Sequence, residues 1–182
     1  MHVAACLGLP PGPGGRHAAM GTHNRLLALD GGAYLEAIAV DPEAPAPGRP
    51  RWFDLDRFEG QPRLSNWVVR VDDLDAALDA FPEAGEPLAL ERGGLRWRMA
   101  VPADGVLPFD GCFPALIQWE TDPPALPASG LTLDRLELHH PQADALRARL
   151  ADLIDDPRIA VARGGPALVA GIGAPDGPRV LR

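Results

Sequence analysis

The sequence predicts an α+β protein built from repeated βαβββ modules, with short helices packed outside curled mixed sheets. Three observations carry this expectation. First, the order strand, helix, strand, strand, strand can be read twice, over 51–122 and over 131–182. Second, the two stretches share wording: LALERGGLRWRMAVPADG at 88–105 lies alongside IAVARGGPALVAGIGAPDG at 159–177, each with Arg-Gly-Gly at a hairpin turn. Third, proline-rich segments at 41–50 (DPEAPAPGRP) and 122–130 (DPPALPASG) separate the units, and their prolines cannot continue a sheet. The offset between the copies is about 70 residues, longer than an ordinary solenoid period, so the pattern reads as a duplicated supersecondary module.

Each element has a local reason. Residues 1–23 are rich in Gly and Pro. Two apolar runs, 24–29 and 33–40, flank Asp30-Gly31-Gly32 and read as a β-hairpin, the back half of a first module over 1–50. The strand and most of the helix that would open that module are expected to be missing. In the second module, 65–71 is a strand, and Asp72 and Asp73 can cap a helix. Its apolar residues Leu74, Ala77, Leu78 and Phe81 fall at i, i+3, i+4 and i+7. Strands follow at 87–91, 95–101 and 114–120, the first two joined at Gly93-Gly94. In the third module the strand is 131–138. Pro141 then opens a helix with Ala143, Leu146, Leu150 and Leu153 on one face. Strands at 158–162, 166–172 and 178–181 complete it.

Composition narrows the function classes. The 182 residues carry 17 basic and 25 acidic side chains, a net charge of −8, which disfavours nucleic acid and anionic membrane as partners. No apolar run approaches the ~18 residues of a spanning helix. Every basic residue is arginine, so Schiff-base chemistry on a lysine is excluded. Cys6 and Cys112 lack metal-type spacing and read as reduced thiols of a cytoplasmic protein. There is no GxSxG, and the Gly12–Gly15 stretch matches no phosphate-loop pattern.

Strand alternation selects candidate site residues. Tyr34, Glu36, Ile38 and Val40 share one side of their strand, so Glu36 sits on an apolar stripe. A carboxylate there needs a cation, an arginine or hydrogen bonds, unless it simply faces solvent. Glu120 ends the last strand of the second module. Residues 1–25 contain no Asp or Glu but include Arg16, Arg25, His2, His17 and His23. In that positive region Arg16 and Arg25, with Asn24 beside them, can hold a carboxylate or phosphate, or can pair with surface acids. His139 and His140 are adjacent on a strand, point opposite ways and read as structural.

PGGRHAAMGTHNRLLAL at 13–29, AYLEAIAVDPEAP at 33–45 and FPALIQWETDPP at 113–124 resemble the glyoxalase-like domain family. This family lies within the vicinal oxygen chelate superfamily of glyoxalases, bleomycin-resistance proteins and dioxygenases. The resemblance covers nearly the whole chain. It implies sheets curled around a cavity and a small-molecule enzyme acting on an oxygenated substrate that can be anionic. The implied cofactor is a divalent metal (Zn, Ni, Fe or Mn), with Glu36, Glu120 and His23 as the ligands this sequence offers and the two glutamates as catalytic groups. Family members open with a strand carrying Asp-His, which this sequence does not contain, and where a strand histidine is expected the chain has Asn66-Trp67. Trp67 and Trp119 would pack in the cavity wall or stack on a ligand. Two other readings stay open: a metal-free protein that sequesters a compound between Trp67, Trp97 and Trp119, and a catalytically degenerate member whose exposed half-module pairs with a second copy as a homodimer.

Overall fold

The segments 41–50 and 122–130 carry neither helix nor strand in the computed structural model, which describes residues 2–182, and the regular elements between them form three sheets. A short helix α1 (His2–Leu7) precedes the first sheet, ordered β1 (Arg16–His17), β2 (Thr22–Ala28), β3 (Tyr34–Val40) and antiparallel throughout. The β2–β3 connection places Gly31 and Gly32 at φ 79° and 81°, in the left-handed region glycine tolerates.

The second sheet contains β4 (Val68–Arg70), β5 (Glu86–Arg92), β6 (Leu95–Val101) and β7 (Ala115–Trp119), in the order β4-β7-β6-β5. Helix α2 (Leu74–Ala80) links β4 to β5, and its N-cap Asp73 accepts the backbone N–H of Ala76 at 3.0 Å. Gln118 of β7 ties the start of this helix to the sheet. Its Oε1 accepts the Leu74 N–H at 3.1 Å and its Nε2 donates to the Asp72 carbonyl at 2.9 Å.

The third sheet contains β8 (Thr132–His139), β9 (Ile159–Ala162), β10 (Ala167–Gly173) and β11 (Arg179–Leu181), with α3 (Ala143–Ala151) between β8 and β9. The element order of the second module recurs here, but the sheet order does not: it is β11-β10-β8-β9. The first strand of the second module pairs parallel with the fourth, whereas β8 pairs parallel with β9 and antiparallel with β10. A local difference accompanies this. The counterpart of β7 is the three-residue strand β11, Arg-Val-Leu, which has no amide side chain to pin the opening strand beside it.

Each face of the second sheet belongs to a different core. Ala100 and Leu116 face α2 and the third sheet, in a cluster with Leu74, Phe81, Phe113, Leu138 and Leu146. The alternate positions Trp97, Met99, Val101, Ala115 and Ile117 form a second cluster with Met20, Trp52 and Leu107 on the side of the β2–β3 hairpin. The fold is thus α+β, with mixed sheets. The helix periodicities bury as expected: Leu74 and Leu146 are fully buried, and Phe81 and Leu150 nearly so. The strand expected over 65–71 is shorter, Val68–Arg70, and beside it the Trp67 indole donates to the Cys112 carbonyl at 2.9 Å. Among the described residues no helix is long and apolar enough to cross a membrane.

Candidate functional site

The β2–β3 hairpin faces the second sheet across a cavity of about 40 Å³. Alternation on β3 directs Tyr34 and Glu36 into it, and alternation on β2 directs Asn24 and Leu26. Opposite them stand Trp97 and Met99 of β6 and Ile117 and Trp119 of β7, and Trp52, Phe53 and Val68 complete the lining. The Trp97 and Trp119 rings are 5.5 Å apart, and Trp52 stacks on Phe53 at 5.3 Å. Phe53 and Asp54 have φ of 60° and 56°, a conformation that Asp tolerates and that is strained for Phe, and the Asp54 N–H donates to the Gly105 carbonyl at 2.9 Å. A volume this small admits a water-sized or carbonyl-sized group rather than a whole substrate.

A hydrogen-bond chain crosses the polar end. Asn24 Nδ2 donates to Glu36 Oε1 at 2.7 Å. Asn24 Oδ1 accepts from Arg92 Nη1 at 2.7 Å and from the Gly15 N–H at 2.9 Å. Arg92 Nη1 also donates to His17 Nε2 at 2.9 Å. Because guanidinium only donates, His17 must be the tautomer with its proton on Nδ1, directed at Thr22 Oγ1 3.0 Å away. Trp52 Nε1 donates to the same hydroxyl at 3.2 Å. The Gly-Gly-Arg-His and Gly-Thr-x-Asn wording acquires a physical reason here. A Cβ on Gly14 would lie 2.0 Å from the Asn24 carbonyl, and one on Gly15 would lie 2.5 Å from Arg92 Cδ.

Electrostatics follow from burial. Desolvation pushes the Glu36 carboxyl above its ordinary 4.5, opposed by the Asn24 hydrogen bond and the Arg92 charge. Tyr34 is raised to about 12, by burial first and the Glu36 charge second. No side chain or backbone group among the described residues hydrogen-bonds the Tyr34 hydroxyl, so the cavity holds a phenol that stays protonated beside a carboxylate of raised basicity.

The structure brings some of the sequence-selected residues together and leaves others apart. Glu36, Asn24 and Trp119 line the cavity, as does Trp97. His23 and Arg25 lie on the opposite, exposed face of β2, because they alternate with Asn24. Arg16 is exposed and pairs with Asp41 at 3.2 Å and with Glu43, so nearby acids occupy it. Glu120 follows the last residue of β7, at the surface, 3.9 Å from Arg96. Trp67 packs against the first core instead of the cavity. His140 is buried against Asp110 at 3.1 Å and His139 reaches Glu137 at 3.2 Å, away from each other's partners. The polar and aromatic cavity residues that sequence reasoning did not select as site residues are Arg92, His17, Tyr34, Trp52 and Phe53.

The residues present do not fit a divalent metal. Among the described residues Glu36 and His17 are the only carboxylate and imidazole lining the cavity, and the free His17 nitrogen is turned to a guanidinium. Among the described residues no group of three or more His, Cys, Asp or Glu side chains could hold such an ion. His23 and Glu120, placed as above, cannot complete a set with Glu36.

In comparisons with known proteins, the family model described as a glyoxalase-like domain matches residues 1–154, from α1 through α3 and short of β9 to β11. No curated protein and no solved structure matches the chain.

Proposed function

The chain belongs to the glyoxalase-like domain family of the vicinal oxygen chelate superfamily, and from that premise we propose that it is a small-molecule enzyme that moves a proton on an oxygenated substrate, with Glu36 as the base. One observation carries the reading: Glu36 faces the cavity with one carboxylate oxygen held by Asn24, while Oε2 has no partner among the described residues. Burial of that carboxylate strengthens it as a base, as general-base catalysis near neutral pH requires.

Tyr34 lies two residues away on the same face of β3 and supplies the second group. In the proposed step the carbon–hydrogen bond beside a carbonyl breaks and the proton passes to Glu36. The electron pair moves onto the carbonyl oxygen, where the Tyr34 hydroxyl donates a hydrogen bond to the growing charge. Return of the proton to the same or the neighbouring carbon completes an exchange or an isomerisation. The aromatic walls keep water from the reacting carbonyl, and the rest of the substrate stays outside this small cavity.

The test is deuterium exchange. 2-Hydroxyacetophenone, a neutral compound with vicinal oxygens and an acidic methylene, is incubated with the protein in D2O and followed by proton NMR. Exchange well above that with heat-unfolded protein is expected, and Tyr34→Phe slows it about ten-fold, the cost of one neutral donor to a developing oxyanion. Exchange no faster than in the unfolded control would remove the enzyme reading. The aromatic cavity walls favour a second reading, a protein that only binds. Saturable quenching of tryptophan fluorescence by the same compound, with no exchange, is its signature.

A further inference from the structure

The geometry points to a carboxylate-bearing substrate: we infer that Arg92 receives a carboxylate between the inner cavity and an apolar groove that takes the remainder of the molecule. This inference rests on the pocket assigned above and names the class of compound that enters it. Arg92 lines both spaces. The second is a groove of about 320 Å³, bounded by the Pro13–Gly15 loop, Leu26, Leu95 and the linker residues Pro124 and Leu126.

Three observations support it. Most arginines of this chain pair with an acid, but Arg92, although half-buried, has no carboxylate within 4.0 Å among the described residues. Second, its protein contacts use one nitrogen only: Nη1 donates to both His17 and Asn24. The Nε and Nη2 groups have no partner among the described residues and are not sealed from solvent. Those two nitrogens form the edge that matches a carboxylate through two parallel hydrogen bonds. Third, the side chain is held in place. Gly15 lets it lie against the loop backbone, and neutral His17 and Asn24 fix its Nη1 end without cancelling its charge. A charged group fixed in this way, with an apolar groove on one side and the Glu36–Tyr34 pair on the other, fits a 2-oxo or 2-hydroxy carboxylate with an apolar tail.

Phenylglyoxylate and its methyl ester test this by titration calorimetry. Neither has a proton beside its ketone to exchange, so affinity is read without turnover. The acid is expected to bind about ten-fold to a hundred-fold more tightly than the ester, the range for a charge-assisted pair. Arg92→Gln removes the preference, so that acid and ester bind alike, and a native circular dichroism spectrum shows that the variant is folded. Should that variant not fold, Arg92→Lys keeps the charge but loses the two-pronged edge, and its preference falls several-fold. Equal affinities for acid and ester in the wild type, or a preference undiminished in the Arg92 variant, overturns the inference. Glu36→Gln retains the preference, so loss of the proton-transfer reading and loss of this one give different results.

Discussion

Glu36→Gln is expected to lower deuterium exchange into 2-hydroxyacetophenone by about 10²- to 10⁴-fold, the usual contribution of a positioned general base. The substitution is informative because it changes so little else. Gln Oε1 accepts the Asn24 Nδ2 hydrogen bond that Glu36 Oε1 accepts at 2.7 Å, so the chain through Asn24, Arg92 and His17 has no reason to rearrange. The cavity keeps its volume and its aromatic walls. The variant loses the carboxylate, whose charged form is disfavoured by burial. Thermal stability at neutral pH is therefore expected to be unchanged or higher, since burial disfavours the charged carboxylate more than a neutral amide that keeps the same Asn24 partner. The pH profile supplies a second readout. Wild-type exchange rises through a limb placed above the ordinary carboxylate value of 4.5, because the base must be ionised to act. In Glu36→Gln that limb disappears. A variant retaining exchange within about three-fold of wild type would show that another group takes the proton.

The placement of Glu36 shows what a sequence can disclose. Strand period alone put Tyr34 and Glu36 on one face, and the hairpin geometry then aims that face inward. The helices were equally legible, since Leu74 to Phe81 and Ala143 to Leu150 repeat at helical spacing and bury as a stripe. Local charge misleads where tertiary pairing decides. The positive region of residues 1–25 suggested an anion site at Arg16 and Arg25, yet Arg16 is occupied by Asp41 and Glu43, and Arg25 alternates out to solvent. The guanidinium in the cavity comes instead from Arg92, more than sixty positions away, at the Arg-Gly-Gly turn read only as a hairpin signal. Nothing local announces that approach except Gly14 and Gly15, whose missing Cβ atoms make room for Asn24 and Arg92. The third sheet is a similar case. Element order is a local property and recurs, whereas strand partnership is set between segments distant in sequence and does not.

His17 makes the folded state sensitive to mild acid. It is 5% exposed, and its pKa is lowered from 6.5 to about 4, first by burial and then by the nearby Arg92 and His23. Between these values the unfolded chain binds a proton that the folded chain excludes. The His17 contribution to stability is therefore complete above pH 6.5 and is lost as pH falls toward about 4, a total of about 3 kcal/mol. Glu36 acts in the opposite sense, because a raised carboxyl pKa favours the folded state in acid and costs stability as pH rises above 4.5. The measurement is therefore made in the Glu36→Gln background, by urea unfolding at pH 7 and at pH 4.5. Adding His17→Gln should flatten the pH dependence by about 2 to 3 kcal/mol, since an amide can face Arg92 and Thr22 without titrating. An unaltered slope would mean that His17 does not exclude the proton. The loss has a direct structural cause: a protonated Nε2 would present an N–H to the Arg92 guanidinium 2.9 Å away, two donors and two positive charges with no acceptor between them. Acid thus strains the contact that holds Arg92 before it unfolds the chain, so the carboxylate preference assigned to Arg92 should weaken in the same pH window in which stability declines.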